Sequence, residues 1–332
     1  GIHDDFFELG GDSLIAVQLI AKLREKLQMA FSAHSLLNAP TIATLAELIE
    51  QTTPMPERSN TTAQQTLPSS LVEIKTGNRL KSPLFLVHPV GGHVYFYRDL
   101  AHHLGSERPV YGIQAQGGDG EMEPLTQVEE MATHYIEAMR VRQPEGPYFI
   151  GGSSFGGTVA FEMAQQLHAL GQKVALLTMM DTPGPHQMPA KLETDEEILA
   201  YTLNVGANAS VSLEELRKLE PDEQLRYSLE KQKEMKIPLQ PDLDSTQVRH
   251  LLQIFKANAQ AMSKYQPQAY RDQIIFFRAK EKDAYNAKTP ERAWIDLAQK
   301  GVKVFDVPGN HFTMHSPPHV QVMAEQLRPY LA

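Results

Sequence analysis

The stretch Tyr148-Phe149-Ile150-Gly151-Gly152-Ser153-Ser154-Phe155-Gly156-Gly157 decides how this chain is read. A short apolar run ends in a glycine–serine cluster, and a helical pattern, Thr158–Leu170, follows directly. Within the cluster, Gly152-x-Ser154-x-Gly156 sets one serine between two glycines at a strand-to-helix turn. Bulky residues on either flank of so tight a turn would clash, which explains a glycine on each side. The helix N-terminus behind Ser154 favours negative charge developing next to it. An ordinary glycine–serine loop would need neither the strand before nor the helix after. The context marks Ser154 as a candidate nucleophile.

Outward from this point the pattern repeats. Strand-like apolar runs lie at Pro83–His88, Val110–Ile113, Tyr148–Ile150, Val174–Met180, Gln273–Arg278 and Val302–Val307. Helical patterns separate several of them, Glu291–Lys300 among them. Strands alternating with helices predict an α/β fold, a parallel sheet wrapped by helices. Residues 186–265 break the rhythm with helix signals only, and Thr194…Glu197 and Ser212…Glu215 have capping-box spacing. An all-helical insertion there reads as a lid that shapes the substrate space.

A serine at neutral pH is a weak nucleophile and needs a base, itself oriented by a third group. On this fold the expected chain order is serine, acid, histidine. Asp181 closes the run Val174–Met180 and stands before Thr182-Pro183, at a strand's C-terminal end. Among thirteen histidines, His311 follows the run Val302–Val307 and a Pro308-Gly309-Asn310 turn, where a loop-borne base belongs. His315 and His319 are rivals further from the strand end; Asp306 is mid-strand and a poor orienter. His102, His103, His134, His168 and His250 fall in helical patterns and read as surface residues. Negative charge on a tetrahedral intermediate needs donors, here the Phe155 N–H and one from the glycine-bearing loop His88–Gly92.

Residues 51–70 carry almost no large apolar side chains and contain Pro54, Pro56 and Pro68, the composition of an extended linker. It separates residues 1–50 from residues 71–332. In the first segment Leu14, Val17, Ile20, Leu23 and Leu27 recur at helical spacing behind Asp12 and Ser13, which stand where N-cap residues belong. A second helix is expected after Pro40, with Ile42, Leu45, Leu48 and Ile49 facing inward. The sequence opens within a motif and without Met, so it reads as a piece of something longer, one helix having been lost upstream of Gly1.

Composition narrows the function classes. The 332 residues are 42% hydrophobic and 21% charged, ordinary for a folded protein. With no cysteine there is no thiolate catalysis and no cysteine-ligated zinc, and a cytoplasmic location is expected. A net charge of −9 argues against a nucleic-acid partner, and no run is apolar for long enough to span a membrane. Residues 1–50 hold seven acids against three bases, a net −4, which suits basic partners.

Taken together, LFLVHPVGG (Leu84–Gly92), GGSSFGG (Gly151–Gly157), MDTP (Met180–Pro183) and GNH (Gly309–His311) resemble a type I thioesterase domain of the α/β-hydrolase fold. DDFFELGGDSL (Asp4–Leu14) resembles a carrier-protein attachment motif. The whole resembles the carrier–thioesterase terminus of a nonribosomal peptide synthetase or of a hybrid polyketide/peptide assembly line. That resemblance implies Ser154 as nucleophile, Asp181 as orienting acid, His311 as base, and oxyanion amides at Val90 and Phe155. It implies a 4′-phosphopantetheine arm on Ser13, a helix end suiting the phosphate. It implies as partners a phosphopantetheinyl transferase, upstream synthetase domains and an acyl or peptidyl substrate. The reaction expected is chain release by hydrolysis or macrocyclisation. An editing thioesterase, a free esterase or lipase, and a non-catalytic module are the rival readings.

Overall fold

The computed structural model describes residues 1–6, 9, 19, 23, 39–52, 68–117, 122–184, 192, 194–207, 211–234, 245–281 and 289–331. It divides into two compact units, Gly1–Thr66 with Leu229–Asp244, and Leu67–Ser228 with Ser245–Ala332. Ser13, and all but Leu23 of the first apolar stripe, lie outside the described residues.

In the smaller unit, helix α1 (Ile42–Thr52) begins where Pro40 predicts. Thr41 and Thr44 cap it reciprocally, each backbone N–H donating to the other's hydroxyl at 3.1 Å. The N-terminal stretch is tied to this start by Phe6 N–H to Pro40 O at 2.7 Å and Ala43 N–H to Ile2 O at 2.9 Å. Ala39 and Leu45 are buried, but Ile42 is 66% exposed. The expected inward face therefore starts one turn later than Ile42. The helix also runs two residues into the segment read as linker.

The larger unit is built on seven strands: β1 (Leu71–Lys75), β2 (Leu84–Val87), β3 (Val110–Ile113), β4 (Tyr148–Ser153), β5 (Val174–Met180), β6 (Ile274–Ala279) and β7 (Val302–Val307). Their order is β1-β3-β2-β4-β5-β6-β7. Six strands are parallel; β1 runs antiparallel beside β3, with Leu71 opposite Ile113. The sequence reading had the six parallel strands and not β1. β2 and β4 are buried along their whole length, as parallel strands covered on both faces are. Strand order reverses between β2 and β4, and the crevice at such a switch point, beyond the strands' C-terminal ends, is where α/β sheets bind ligands.

Helices α2 (Arg98–His103), α3 (Val128–Arg142) and α4 (Phe155–Ala169) follow the early strands. Helix α4 lies against α3 and against β2, β4 and β5. Between β5 and β6 the described elements are all helices: α5 (Asp195–Ala207), α6 (Leu213–Leu216), α7 (Pro221–Glu234) and α8 (Ser245–Lys264). Thr194 and Glu197 form the expected reciprocal box, at 3.2 and 3.3 Å. Ser212 also caps, but through the N–H of Glu214 at 3.2 Å, not through the side chain of Glu215. The run Glu291–Lys300 is helical only in α9 (Arg292–Ile295). Ala298 instead bridges to Tyr270 in parallel, and Tyr270 N–H donates to Leu297 O at 2.7 Å. Tertiary pairing overrides helix preference there. Helix α10 (His319–Leu327) packs on α2 and β7 and leads into a short 3-10 helix, Arg328–Leu331.

Close approach of α4 to the sheet depends on a missing side chain. A Cβ on Gly156 would strike the backbone carbonyl oxygens of Val87 and His88. Gly156→Ala should lower stability by about 1–3 kcal/mol, read as a shift of the urea midpoint at constant slope. An unshifted midpoint would show that α4 can lift off β2 freely.

Candidate active site

Ser154 joins β4 to α4 with φ 54° and ψ −126°. Among the described residues only Ser154 and Asp181 combine a side chain with positive φ. Such a backbone costs roughly 1–3 kcal/mol per residue and persists where surrounding structure enforces it, often at functional sites. Enforcement is visible here: Ser154 N–H donates to Met180 O at 2.9 Å, and Asp181 N–H to Phe277 O at 2.6 Å. These bonds bind the ends of β4, β5 and β6 in sequence. Ser154 therefore sits beside the residue that precedes Asp181. Phe155 opens α4, so its N–H has no acceptor within the helix.

Asp181 is fully buried, so its carboxylate must be compensated by hydrogen bonds. Oδ1 accepts from Ala279 N–H at 3.0 Å, and Oδ2 lies 2.7 Å from His311 Nδ1. A carboxylate only accepts, so the proton sits on Nδ1 and His311 Nε2 keeps its basic lone pair. His311 is buried in the loop after β7. Asn310 organises that loop, its Oδ1 accepting from Phe312 N–H at 3.0 Å and Thr313 N–H at 2.9 Å. The stretch beyond Asp181 is pinned by Trp294, whose indole donates to Thr182 O at 3.1 Å. Asp306 is engaged elsewhere, 2.8 Å from Arg278.

His315, the nearer rival base, goes to a different partner. Its Nε2 lies 2.8 Å from Ser153 Oγ, one residue before Ser154. Burial, then the neighbouring His311, pushes its pKa down to about 3. Its ring meets Phe96 edge-on at 5.0 Å. Tyr97 completes this support: its hydroxyl accepts from Ser153 N–H and donates to Val87 O, both at 2.7 Å. His319, the other rival, is the first residue of α10. Of the histidines read as surface residues, His168 is not one: it stacks on Tyr270 at 5.4 Å and lies 3.3 Å from Asp272.

The loop after β2 makes a tight turn, Gly92 N–H donating to Pro89 O at 2.9 Å, with Gly92 at φ 83°. His88 lies beneath it, Nδ1 2.7 Å from Pro89 O and Nε2 2.7 Å from the Tyr135 hydroxyl. The carbonyl accepts, so Nδ1 holds the proton and Tyr135 donates to Nε2. Burial lowers the His88 pKa to about 4, which keeps it neutral. In a trans peptide N–H points opposite to C=O, so holding Pro89 O also aims the Val90 N–H. His88 also packs near Phe155, ring centroids 6.0 Å apart. Sequence reading missed His88, Tyr97 and Tyr135 as supports; buried aromatic and imidazole groups next to a motif are the signal that was there to use.

A serine on a strained strand–helix turn, a buried carboxylate–imidazole pair and two amides at helix and loop starts are the parts of an acyl-transfer site. Matching of protein families assigns residues 82–330 to the thioesterase domain and residues 1–49 to the phosphopantetheine attachment site. The chain belongs to the thioesterase family. It carries a phosphopantetheine carrier segment ahead of that domain, and with it a covalently attached 4′-phosphopantetheine. It is 35% identical over 286 residues to the dimodular nonribosomal peptide synthase of Bacillus subtilis (strain 168), across 84% of this chain and 11% of that protein. It is 34% identical over 327 residues to malpibaldin synthetase of Mortierella alpina, across 97% of this chain and 5% of that protein. The chain thus spans a small part of the curated relatives it matches. Among solved structures, a holo four-domain nonribosomal peptide synthetase bound to AMP and glycine aligns with TM-score 0.73 and 30% identity, over 99% of this chain and 24% of that one. The Vlm2 thioesterase domain bound with a dodecadepsipeptide aligns with TM-score 0.59 and 26% identity, over 79% and 98%.

The larger unit of this thioesterase has the α/β-hydrolase fold, a mixed seven-stranded sheet with a helical insertion. Among the described residues no helix is long and apolar enough to cross a membrane, and no cluster of His, Asp or Glu could hold a metal. The buried, neutral His88 and His315 make a pH prediction. Unfolding frees His88 and His315 to titrate near 6.5, whereas folded they protonate only near 4 and 3. The unfolded state therefore binds more protons between those values, and stability, full above about 6.5, falls as pH drops through this window. The melting temperature should decline from pH 7 to pH 5, and His315→Gln, which keeps a hydrogen-bonding group, should decline less. Equal slopes would show that His315 is not held neutral.

Proposed function

We propose that this chain releases an acyl or peptidyl chain from its own carrier segment by way of an ester on Ser154. The observation that carries the reading is the buried Asp181–His311 hydrogen bond of 2.7 Å, set at the strand end next to the strained Ser154. When bound at Ser13, the 4′-phosphopantetheine arm supplies a thiol on which the chain travels as a thioester. Residues 51–70, as a linker of about 20 residues, hold substrate and site together at roughly millimolar effective concentration.

In the proposed sequence, His311 Nε2 takes the Ser154 hydroxyl proton as Oγ attacks the thioester carbonyl. Asp181 stabilises the imidazolium and holds its orientation. The tetrahedral oxyanion accepts from the Val90 and Phe155 amides. As the carbon–sulfur bond breaks, the imidazolium protonates the departing sulfur and leaves acyl-Ser154. Water, or a nucleophile within the bound chain, then gives a proton to His311 and attacks the ester; the bond to Ser154 Oγ breaks as the imidazolium returns that proton to the serine. The first route yields an acid, the second a ring. The acidic residues 1–50 suit basic surfaces on a phosphopantetheinyl transferase and on synthetase domains upstream. The presence of carrier and thioesterase on one chain favours release of the chain's own cargo over a free esterase.

Turnover of a small acyl thioester tests the assignments. Ser154→Ala and His311→Ala should each lower kcat by at least about 10⁴-fold, and Asp181→Asn by one to two orders of magnitude less. His315→Ala should cost far less than His311→Ala, because it supports Ser153 and not the acid. The reverse ranking would make His315 the base. Incubation with coenzyme A and a phosphopantetheinyl transferase should add one arm by mass, and none to Ser13→Ala. An arm on the Ser13→Ala chain would move the attachment site.

A further inference from the structure

Helix α8, the last of the insertion, is bound into the body of the domain and does not merely lie over it. One face carries Ile254 and Asn258, and Tyr265 follows directly after its last residue, all at most 2% exposed. Asn258 Nδ2 donates to Val90 O at 2.8 Å. One turn earlier, Ile254 rests on Gly92, where an added Cβ would lie 2.7 Å from Ile254 Cγ2. One to two turns later, the Tyr265 hydroxyl donates to Glu162 Oε2 at 2.7 Å, on α4. The same helix therefore grips both halves of the oxyanion site, the Val90 loop and the helix that Phe155 begins.

From this geometry we propose that Asn258 is a positioning residue for acyl transfer: by holding Val90 O it fixes the Val90–Gly91 peptide, and so the Val90 Cα from which the preceding Pro89–Val90 peptide presents its N–H to the developing oxyanion. The proposal rests on the assignment of Val90 as an oxyanion donor. Two anchors already bracket the turn. His88 and Gly92 hold Pro89 O, and Ala115 N–H holds Gly92 O at 2.9 Å. Val90 O lies between them, and Asn258 supplies its donor. Without that bond the Val90–Gly91 peptide is free to rotate about Val90 Cα, the turn is held on only one side of the Val90 N–H, and a donor displaced by tens of degrees loses most of its hydrogen-bond strength. A buried amide also costs stability unless it is bonded, so placing an asparagine there for packing alone would be unfavourable. The insertion would then do two separable things, with α8 tuning the rate of acyl transfer and the preceding helices covering the bound chain.

The test is steady-state kinetics of the full chain on a small acyl thioester, with melting temperatures alongside. Asn258→Leu, similar in volume and without a donor, should lower kcat about 10- to 100-fold with KM nearly unchanged. Asn258→Asp adds a signature that packing cannot imitate. As a neutral acid it donates to Val90 O; as a carboxylate it repels that oxygen. Its kcat relative to the unaltered chain should rise as pH falls from 8 to 5. If Asn258→Leu unfolds, the pH profile of Asn258→Asp still decides. A raised KM with unchanged kcat, or an Asn258→Asp profile parallel to the unaltered chain, would overturn the proposal while Ser154→Ala remains inactive. Turnover surviving in Ser154→Ala would bring down the mechanism and this proposal together.

Discussion

The hydrogen bond between Asp181 and His311 is the constraint on which the rest of the site depends. A carboxylate removed from water is costly unless its oxygens are satisfied, and removing a partner from a buried charged pair typically costs 3–5 kcal/mol. Here one oxygen is satisfied by the Ala279 backbone, on the neighbouring strand β6, and the other by His311. The first contact ties Asp181 to the sheet; the second ties the loop after β7 to Asp181. That loop therefore cannot drift from the strand ends without exposing or orphaning a buried charge. The positive φ of Asp181 follows from the same demand, turning the chain so that backbone and side chain both reach β6.

Around this pair the domain adds supports that keep acceptors and donors in fixed orientation. Tyr97 bridges the ends of β2 and β4 through a single hydroxyl, joining the strand before the proposed oxyanion loop to the strand before the proposed nucleophile. His88 and His315, both neutral and both buried, hold the residues just before the proposed oxyanion donor and just before the proposed nucleophile. Neutral imidazoles suit this task, since each offers one donor and one acceptor without adding charge beside a developing oxyanion.

Much of this was legible in the sequence because short-range rules govern it. Buried parallel strands such as β2 and β5 read as continuous apolar runs, and the edge strand β7, of which only Val307 is buried, still alternates apolar residues. The flanking glycines around Ser154 and the turn before His311 are local steric requirements. What escaped depends on contacts between distant segments. Leu71–Lys75 is a short edge strand, half-exposed and adjoining a polar stretch, so it lacks the unbroken apolar run that marks β2. The overextended helix at Glu291–Lys300 yields to the Tyr270–Ala298 bridge, nearly thirty residues apart in sequence. Asn258 reads as an ordinary polar residue on a helix until α8 is seen to face the Val90 loop. His311 and His315 are four residues apart and alike in type; distance from the strand end favours His311 in the sequence, and the partner each finds, Asp181 or Ser153, separates them in the structure.

The central claim is that cargo passes from the carrier segment to Ser154 within one chain. It is tested most directly by mass mapping after loading the arm-bearing chain with a defined acyl group, quenching in acid at successive times and digesting. The acyl mass should leave the peptide containing Ser13 and appear on the peptide containing Ser154 before free product accumulates. Product released while the Ser154 peptide stays unmodified at every time, or an acyl mass on another residue, would contradict it.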